Sequence, residues 1–274
     1  TNMSSPSAAN RWTDLPTLMM RDPCGWEAIH NPDIAAYWRF NGAGNGHPHA
    51  PKAPAHLGGC SYWFPKGNSA AHTFLSLVPP KKYFATHPEY FSEINGVRRN
   101  GITQLCLTNP DVLRIATEEV LRMLDAEPMV EFVGVSANDW KFNCTCKNCK
   151  AIDDYEESPA GTLIRFVNAI AEEVEKKHPK VYVQTLAYLH TRKAPKHVRP
   201  RHNVVPTLCP IECDFGHPLK TGVLPNNVNF RKDMDAWAAI TDKLYIWDYV
   251  TNFGWFMGAQ PNIFVMQENM KYFR

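Results

Sequence analysis

The sequence lacks three features that would each point to a familiar class of protein. No apolar run approaches the roughly 20 residues that a membrane-spanning helix needs, and no signal peptide opens the chain. The 29 basic and 27 acidic residues nearly balance and are scattered, which argues against a surface for nucleic-acid phosphates. No Gly-x-Gly-x-x-Gly motif follows a strand-like segment, so a dinucleotide-binding sheet is not indicated. We expect neither a nucleic-acid partner nor membrane insertion, and the oligomeric state stays open.

The composition is that of a folded protein with a large core. With 274 residues, of which 44% are hydrophobic, the chain suits one large α/β domain. We expect residues 1–70 to be a loop-rich segment packed on that domain, with a short helix at 33–39. The chain begins without methionine and ends at MKYFR inside a helix-like segment. We therefore expect a fragment of a longer protein that is exported to the periplasm, the cell surface or the medium.

Strand-like and helix-like segments alternate from residue 71 onward. Apolar runs predict strands at 71–79, 102–109, 129–139, 181–190, 203–211 and 243–250. Apolar residues at a period close to 3.6 predict helices at 110–126, 162–179 and 228–240. Apolar strands between amphipathic helices indicate a parallel sheet that is covered on both faces. Because the dinucleotide motif is missing, we favour a TIM-type (β/α) barrel over residues 71–274, incomplete at its C-terminus, rather than an open doubly wound sheet.

Four segments of the chain resemble a known family of bacterial proteins. They are HTFLSLVPPKKYFATHPEYFSEINGVRRNGITQLCLTNPDV, SANDWKFNCTCKNCKAID, TLAYLHTRKAPKHVRP and LCPIECDFGHPL, in this order between residues 60 and 274. Together they are similar to domain-of-unknown-function family 4838. The resemblance implies a TIM barrel similar to those of family 20 hexosaminidases and α-glucuronidases, and hence a carbohydrate substrate. Such hexosaminidases carry an Asp-Glu pair where this chain has Asn138 and Asp139.

Polar and aromatic residues stand where the predicted strands end. They are His72, Asn138, Asp139, Tyr188, His190, Trp247, Asp248 and Tyr249. Chemistry in barrels gathers at the carboxyl ends of the strands, and glycoside cleavage usually needs two carboxyl groups. Asp139 is the candidate general acid, because a carboxyl group that closes a buried strand keeps its proton more readily. Asp248 is the candidate second carboxylate, and the other six residues are candidates for binding the sugar.

Cysteines are concentrated directly behind Asp139. A first group comprises Cys144, Cys146 and Cys149, and a second comprises Cys209, Cys213 and His217. Three thiolates from the first group and one ligand from the second would complete the tetrahedron of a structural zinc ion. Disulfides in an exported protein suit the even number of eight cysteines equally, and free thiols are a third reading. In each case the cysteines would brace the loop that carries Asp139.

Two other functions compete with that of a glycosidase. A carbohydrate-binding or scaffold barrel needs the aromatic residues but not a pair of carboxylates. A zinc-dependent hydrolase needs histidine and carboxylate ligands with an open coordination position, which a cysteine-rich site does not offer. We expect catalysis to require no cofactor, so zinc would have a structural role alone. A second carboxylate beside Asp139 separates a glycosidase from a binding barrel.

Overall fold

The structure is a computed structural model that describes residues 31, 64–101, 103–250, 252, 254–255 and 257–274. In chain order its elements are α1 (Phe74–Leu77), α2 (Pro80–Tyr83), β1 (Glu93–Ile94), β2 (Val97–Arg98), α3 (Pro110–Ala126), β3 (Phe132–Gly134), α4 (Lys147–Glu156), α5 (Ala160–Lys177), β4 (Tyr182–Ala187), β5 (Val204–Leu208), α6 (Pro225–Ala238), β6 (Tyr245–Ile246) and α7 (Met266–Phe273). Among the described residues, no helix combines the length and apolar character required to cross a membrane.

A parallel sheet of four strands organises the fold. Its strands pair in chain order, β3 with β4, β4 with β5, and β5 with β6. All four carboxyl ends therefore lie along one edge of the sheet. Strands β1 and β2 form a separate antiparallel hairpin. This confirms the predicted α/β class with a parallel sheet, and the strands that the structure describes form an open sheet rather than a closed ring.

The two faces of the sheet bury different side chains. Val133, Val183 and Val204 belong to the large core that includes residues of α3 and α5. On the opposite face, Phe132 and Val205 form a smaller cluster that also contains aromatic residues of β4 and β6. This arrangement follows from the strand pleat, in which successive side chains point to opposite faces. Whether a residue holds an odd or an even position in its strand therefore decides which face of the sheet its side chain lies on.

The outer edge of β3 is closed by a side chain rather than by a strand. The Asn68 amide nitrogen donates to the Gly134 carbonyl oxygen at 3.1 Å, and its oxygen accepts from the Gly134 N–H at 2.6 Å. One residue pair further along, the Thr73 hydroxyl accepts from the Ser136 N–H at 2.8 Å, and the Thr73 N–H donates back to the Ser136 carbonyl. Both backbone groups of Gly134 are thus satisfied without a neighbouring strand.

The predicted helices agree better with the structure than the predicted strands. The helix at 110–126 is confirmed at both ends, and those at 162–179 and 228–240 begin two or three residues earlier than expected. The strand predicted at 71–79 is wrong, because this segment contains α1. Residues 103–109 form no strand and make a single bridge, from Leu105 to Phe91. The helix predicted at 33–39 lies outside the described residues, and the boundary at residue 70 stays a prediction.

Candidate active site and cysteine cluster

Side chains from three consecutive strands meet at the carboxyl edge of the sheet. Asp139 follows β3, Tyr188 follows β4 and Glu212 follows β5. The Tyr188 hydroxyl donates a hydrogen bond to Asp139 Oδ1 at 3.2 Å. Burial raises the pKa of Tyr188 to about 12, and the negative charges of Asp139 and Glu212 contribute to the increase. Tyr188 therefore stays protonated at neutral pH, close to two acidic side chains.

Glu212 is held by an arginine that bridges two elements. Arg192 Nη1 lies 2.8 Å from a carboxylate oxygen of Glu212, and Arg192 Nε lies 2.8 Å from Asp233 of α6. Burial opposes the charge of Arg192, but both carboxylates outweigh it and raise the pKa of the guanidinium. Sequence reasoning missed Glu212. The available signal was an acidic residue four positions after the apolar strand that ends at Leu208.

His72 borders the same group of residues. Its Nδ1 lies 2.9 Å from the Ala137 carbonyl oxygen, so Nδ1 carries the proton and Nε2 is an acceptor in the neutral ring. The edge of this exposed ring contacts Tyr188, with 6.1 Å between the ring centroids. His72 has φ of 58°, a left-handed conformation that is uncommon for residues other than glycine. Backbone strain of this kind clusters at functional sites.

Tyr249 extends the site from the last strand of the sheet. Burial raises the pKa of its hydroxyl, and the nearby Cys209 and Tyr188 side chains raise it further. The Phe215 ring stands edge-on to Tyr249 at a centroid distance of 6.1 Å. Of the eight residues expected at the strand ends, the structure therefore brings together His72, Asp139, Tyr188 and Tyr249.

Asn138 belongs to the framework of the site. It is 3% exposed, its side-chain oxygen accepts from the Leu75 N–H at 3.1 Å, and its amide nitrogen donates to the Thr103 carbonyl. Gln104 closes the arrangement by bonding the Asn138 backbone at both N–H and carbonyl, at 2.9 and 2.8 Å. The side chain expected to bind sugar is therefore occupied inside the protein, where it positions Asp139.

The side chains of Asp248 and Trp247 lie on opposite faces of the sheet. Trp247 packs with the aromatic cluster around Phe132, whereas Ile246 packs on the helical side. Asp248 shares the parity of Ile246, and its charge acts on Cys213 in that helical core. Burial raises the pKa of Asp248, and its Oδ2 has no hydrogen-bond partner among the described residues. Among the described residues, Asp139 hydrogen-bonds Tyr188 and neither Trp247 nor Asp248, so the sugar-binding role of Trp247 and the catalytic role of Asp248 stay predictions.

The His190 ring is largely buried. Its Nδ1 is buried without a hydrogen-bond partner in the part of the chain that the structure describes. Burial lowers the pKa of this imidazole to about 4, so the ring is neutral at pH 7. His190 lines a small cavity together with Cys144, Cys149 and Asp153. His190 was expected to bind sugar, and the structure shows its ring lining this cavity beside the cysteines.

Four buried cysteines form a compact cluster next to the site. Its members are Cys106, Cys144, Cys146 and Cys149, and their four sulfur atoms all lie within 4.8 Å of one another. The Cys106 sulfur lies 3.7 Å from that of Cys146 and 3.9 Å from that of Cys149. All six cysteines that the structure describes are free of disulfides. The cluster can hold a metal ion, as the spacing of the first three cysteines predicted.

The fourth member of the cluster is a correction to the sequence analysis. Cys106, and not Cys209, Cys213 or His217, joins the three clustered cysteines. The Cys213 sulfur contacts the Asn226 carbonyl at 3.9 Å, and His217 pairs with Asp214 three residues before it. Burial raises the pKa of Cys209 to about 12, so it is a packed thiol beside Tyr249. The loop that precedes α3 therefore supplies the fourth sulfur.

The fold and site define an α/β protein whose polar residues converge at the carboxyl edge of a parallel sheet. A family model described as "Domain of unknown function (DUF4838)" matches residues 3–274. The chain therefore belongs to this family, and the match extends well before residue 60, where the resemblance was expected to begin. A comparison with curated proteins found no match.

Proposed function

We propose that the protein is a glycoside hydrolase that binds a glycan at the carboxyl edge of its parallel sheet. The observation that supports this most is the hydrogen bond between Tyr188 and Asp139 from two neighbouring strand ends, with Glu212 of the next strand end close enough for its charge to raise the pKa of Tyr188. Glycosidases usually require two carboxyl groups beside the scissile bond, and Tyr188 lies close to both of these. Carboxyl ends of parallel strands are also where barrel enzymes assemble their active sites.

The surroundings of the two carboxyl groups suggest different roles. Glu212 is paired with Arg192 at 2.8 Å, which holds its carboxylate in one orientation and suits a base or a nucleophile. Asp139 is exposed and its Oδ1 is oriented by Tyr188, so it can deliver a proton to the leaving oxygen of a bound sugar. In this proposal Glu212 takes the part that the sequence assigned to Asp248. His72 Nε2 and the Tyr249 ring would contact the hydroxyl groups and the face of the sugar.

A carbohydrate-binding barrel without catalysis is the second candidate. The exposure of Asp139 favours it, because a general acid is usually desolvated so that it keeps its proton at neutral pH. The Asn138–Asp139 pair also differs from the Asp-Glu pair of the hexosaminidases that the sequence resembles. A binding protein would keep the polar and aromatic side chains at the edge of the sheet and would release no product.

The test measures hydrolysis by the wild type and by Asp139→Asn on a panel of polysaccharides and aryl glycosides. The substitution keeps the shape but removes the proton, so we expect turnover of natural glycans to fall by roughly 10²–10⁴-fold. Aryl glycosides with good leaving groups need little protonation and should be affected far less. Glu212→Gln should lower turnover of both kinds of substrate, because the base or nucleophile is needed for each.

A matched control is Asp125→Asn. Asp125 is also an exposed aspartate with a hydrogen bond to a ring side chain, here to His178 at 3.0 Å, but it lies in the last turn of α3, which leads into the amino end of β3 and not its carboxyl end. This variant should retain wild-type turnover. If Asp139→Asn cleaves natural glycans at the wild-type rate, the acid role is wrong. If the wild type binds glycans but cleaves none of the panel, the binding barrel replaces the hydrolase.

Three broader features belong to the same proposal. The strand order β3-β4-β5-β6 has no reversal, which is the pattern of a (β/α) barrel rather than of a doubly wound sheet. We therefore place the four strands in an incomplete TIM-type barrel. We also propose that the protein is exported, because extended glycans lie outside the cytoplasm. The four-cysteine cluster would hold a structural zinc ion.

A further inference from the structure

We propose that Cys106, Cys144, Cys146 and Cys149 bind one zinc ion that fixes the loop bearing Asp139. Tetrahedral zinc with Zn–S bonds of about 2.3 Å brings its sulfur ligands about 3.8 Å apart. The Cys106 sulfur lies 3.7 and 3.9 Å from two of its neighbours, and no pair in the cluster exceeds 4.8 Å. The four sulfurs are thus spaced close to the corners of a tetrahedron around a single ion. This inference does not depend on the proposed hydrolase activity.

The alternatives to zinc fit these distances less well. A disulfide requires two sulfurs at about 2.05 Å, whereas Cys106 is equally close to two different cysteines. Four converging sulfurs without histidine or carboxylate are the ligand set of zinc or of iron–sulfur centres. Zn²⁺ with four thiolates fills every coordination position, so the site is closed and structural rather than catalytic.

Hydrogen-bond donors surround the sulfur atoms of the cluster. Four cysteine thiols that bind Zn²⁺ release their four protons to solvent, and the four thiolates and the ion form a centre with a net charge of −2. Arg98 Nη1 lies 3.7 Å from the Cys144 sulfur, and the Glu93 N–H donates to the same sulfur at 3.4 Å. The Thr108 hydroxyl lies 3.2 Å from the Cys149 sulfur. These donors are the hydrogen-bonding neighbours that structural thiolate sites require.

The ion would join two segments that are distant in sequence. Cys106 lies on the loop before α3, Cys144 and Cys146 lie on the loop after β3, and Cys149 lies in the first turn of α4. Thr145, between two of the ligands, donates from its N–H and its hydroxyl to the Glu93 carbonyl at 2.8 and 2.7 Å. Zinc would therefore fasten the loop that contains Cys106 and the start of α4 to the loop that begins at Asp139, and the Thr145 hydrogen bonds connect that loop to the β1–β2 hairpin.

The test measures metal content by elemental mass spectrometry in the purified full chain. We expect about one zinc per chain in the wild type, and a loss of most of that zinc in Cys106→Ser and Cys146→Ser. Cys213→Ser is the matched control, because Cys213 and Cys146 are both 8% exposed but only Cys146 is in the cluster. This control variant should retain wild-type zinc.

A second measurement covers variants that fail to fold. Removing zinc from the wild type with a thiol-blocking mercurial and a chelator should lower the melting temperature by roughly 10 °C or more. Cobalt(II) added to the reduced apoprotein should give the absorption bands of tetrahedral thiolate coordination. Iron in place of zinc would overturn the choice of metal. Wild type that contains no metal and takes up neither zinc nor cobalt, or that shows disulfides among the four cysteines, would overturn the site.

Discussion

Asn138 and Asp139 are neighbours in the sequence, but their side chains have different surroundings in the fold. Asn138 is buried and bonds to the segments that contain Leu75 and Thr103, whereas Asp139 is exposed and contacts Tyr188. The backbone passes from the interior to the surface between them. A substitution at the first residue should therefore affect stability, and a substitution at the second should affect the site.

We predict that the two reciprocal substitutions change the free energy of unfolding by very different amounts. Asn138→Asp replaces the N–H₂ donor that bonds the Thr103 carbonyl with an oxygen, so it should lower the free energy of unfolding by about 2–4 kcal/mol. Asp139→Asn changes an exposed side chain and should stay within about 0.5 kcal/mol of the wild type. Urea denaturation of both variants measures the difference. Equal losses of stability would contradict the division of roles between the two residues.

Some residues of the candidate site could be placed from local features of the sequence, although their roles stay predictions. Asp139, Tyr188 and Tyr249 follow apolar strands, and three of the cluster cysteines lie within six positions, so both features are visible locally. Cys106 was missed because it is 38 residues before Cys144 and stands alone in an apolar segment. Glu212 and Arg192 were missed because only the fold brings their charges together.

At the scale of elements, helices were predictable because each repeats its pattern over several turns. The helix Pro110–Ala126 shows this best, since Asn109 accepts from the Asp111 and Val112 N–H groups and marks its start. The run 71–79 was misread as a strand because nine residues carry too few periods to separate alternation from one helical turn. Its true conformation is set by Ser136, whose carbonyl accepts from the Thr73 and Phe74 N–H groups.

The edge of β3 supports a prediction about Asn68. Its amide is 2% exposed and replaces a neighbouring strand by bonding both backbone groups of Gly134. Asn68→Leu has a similar size but leaves a buried N–H and a buried C=O without partners, so we expect a loss of about 2–5 kcal/mol in urea denaturation. Asn68→Asp keeps only the acceptor for the Gly134 N–H.

A control separates this effect from a general sensitivity to substitution. Asn100→Leu changes an exposed asparagine whose side chain, within the part of the chain that the structure describes, bonds the N–H of the next residue alone, and it should cost less than about 0.5 kcal/mol. If Asn68→Leu is as stable as this control, the side chain does not cap the strand edge. In that case the Gly134 backbone must find other partners.

At the scale of the whole molecule, the sequence predicted the class but not the closure of the sheet. Alternating strands and helices were enough to indicate a parallel sheet, because each parallel pair requires a crossover. Closure into a ring depends on how the first and last strands meet, and no local pattern records that meeting. The two hydrophobic cores on the helical side were also out of reach, since they depend on which helix covers which strand.

The burial of His190 predicts how the stability of the whole protein depends on pH. Burial lowers its pKa from 6.5 to about 4 in the folded state, whereas the unfolded chain keeps the ordinary value. Between these values the unfolded state binds more protons, so stability is fully present above pH 6.5 and is lost as the pH falls toward 4. The shift corresponds to about 3 kcal/mol at most. Asp153, whose pKa burial raises to about 6, contributes the opposite slope over part of this range, so variants must be compared with the wild type at each pH.

The comparison uses urea denaturation from pH 4 to pH 8. His190→Gln cannot take up a proton, so its stability relative to the wild type should rise as the pH falls from 6.5 to 4. His202→Gln is the control, because the His202 side chain is 65% exposed, and its difference from the wild type should change much less. A constant difference between His190→Gln and the wild type across this range would mean that the imidazole is hydrated rather than buried. The ring would then be as free to protonate in the folded protein as in the unfolded chain.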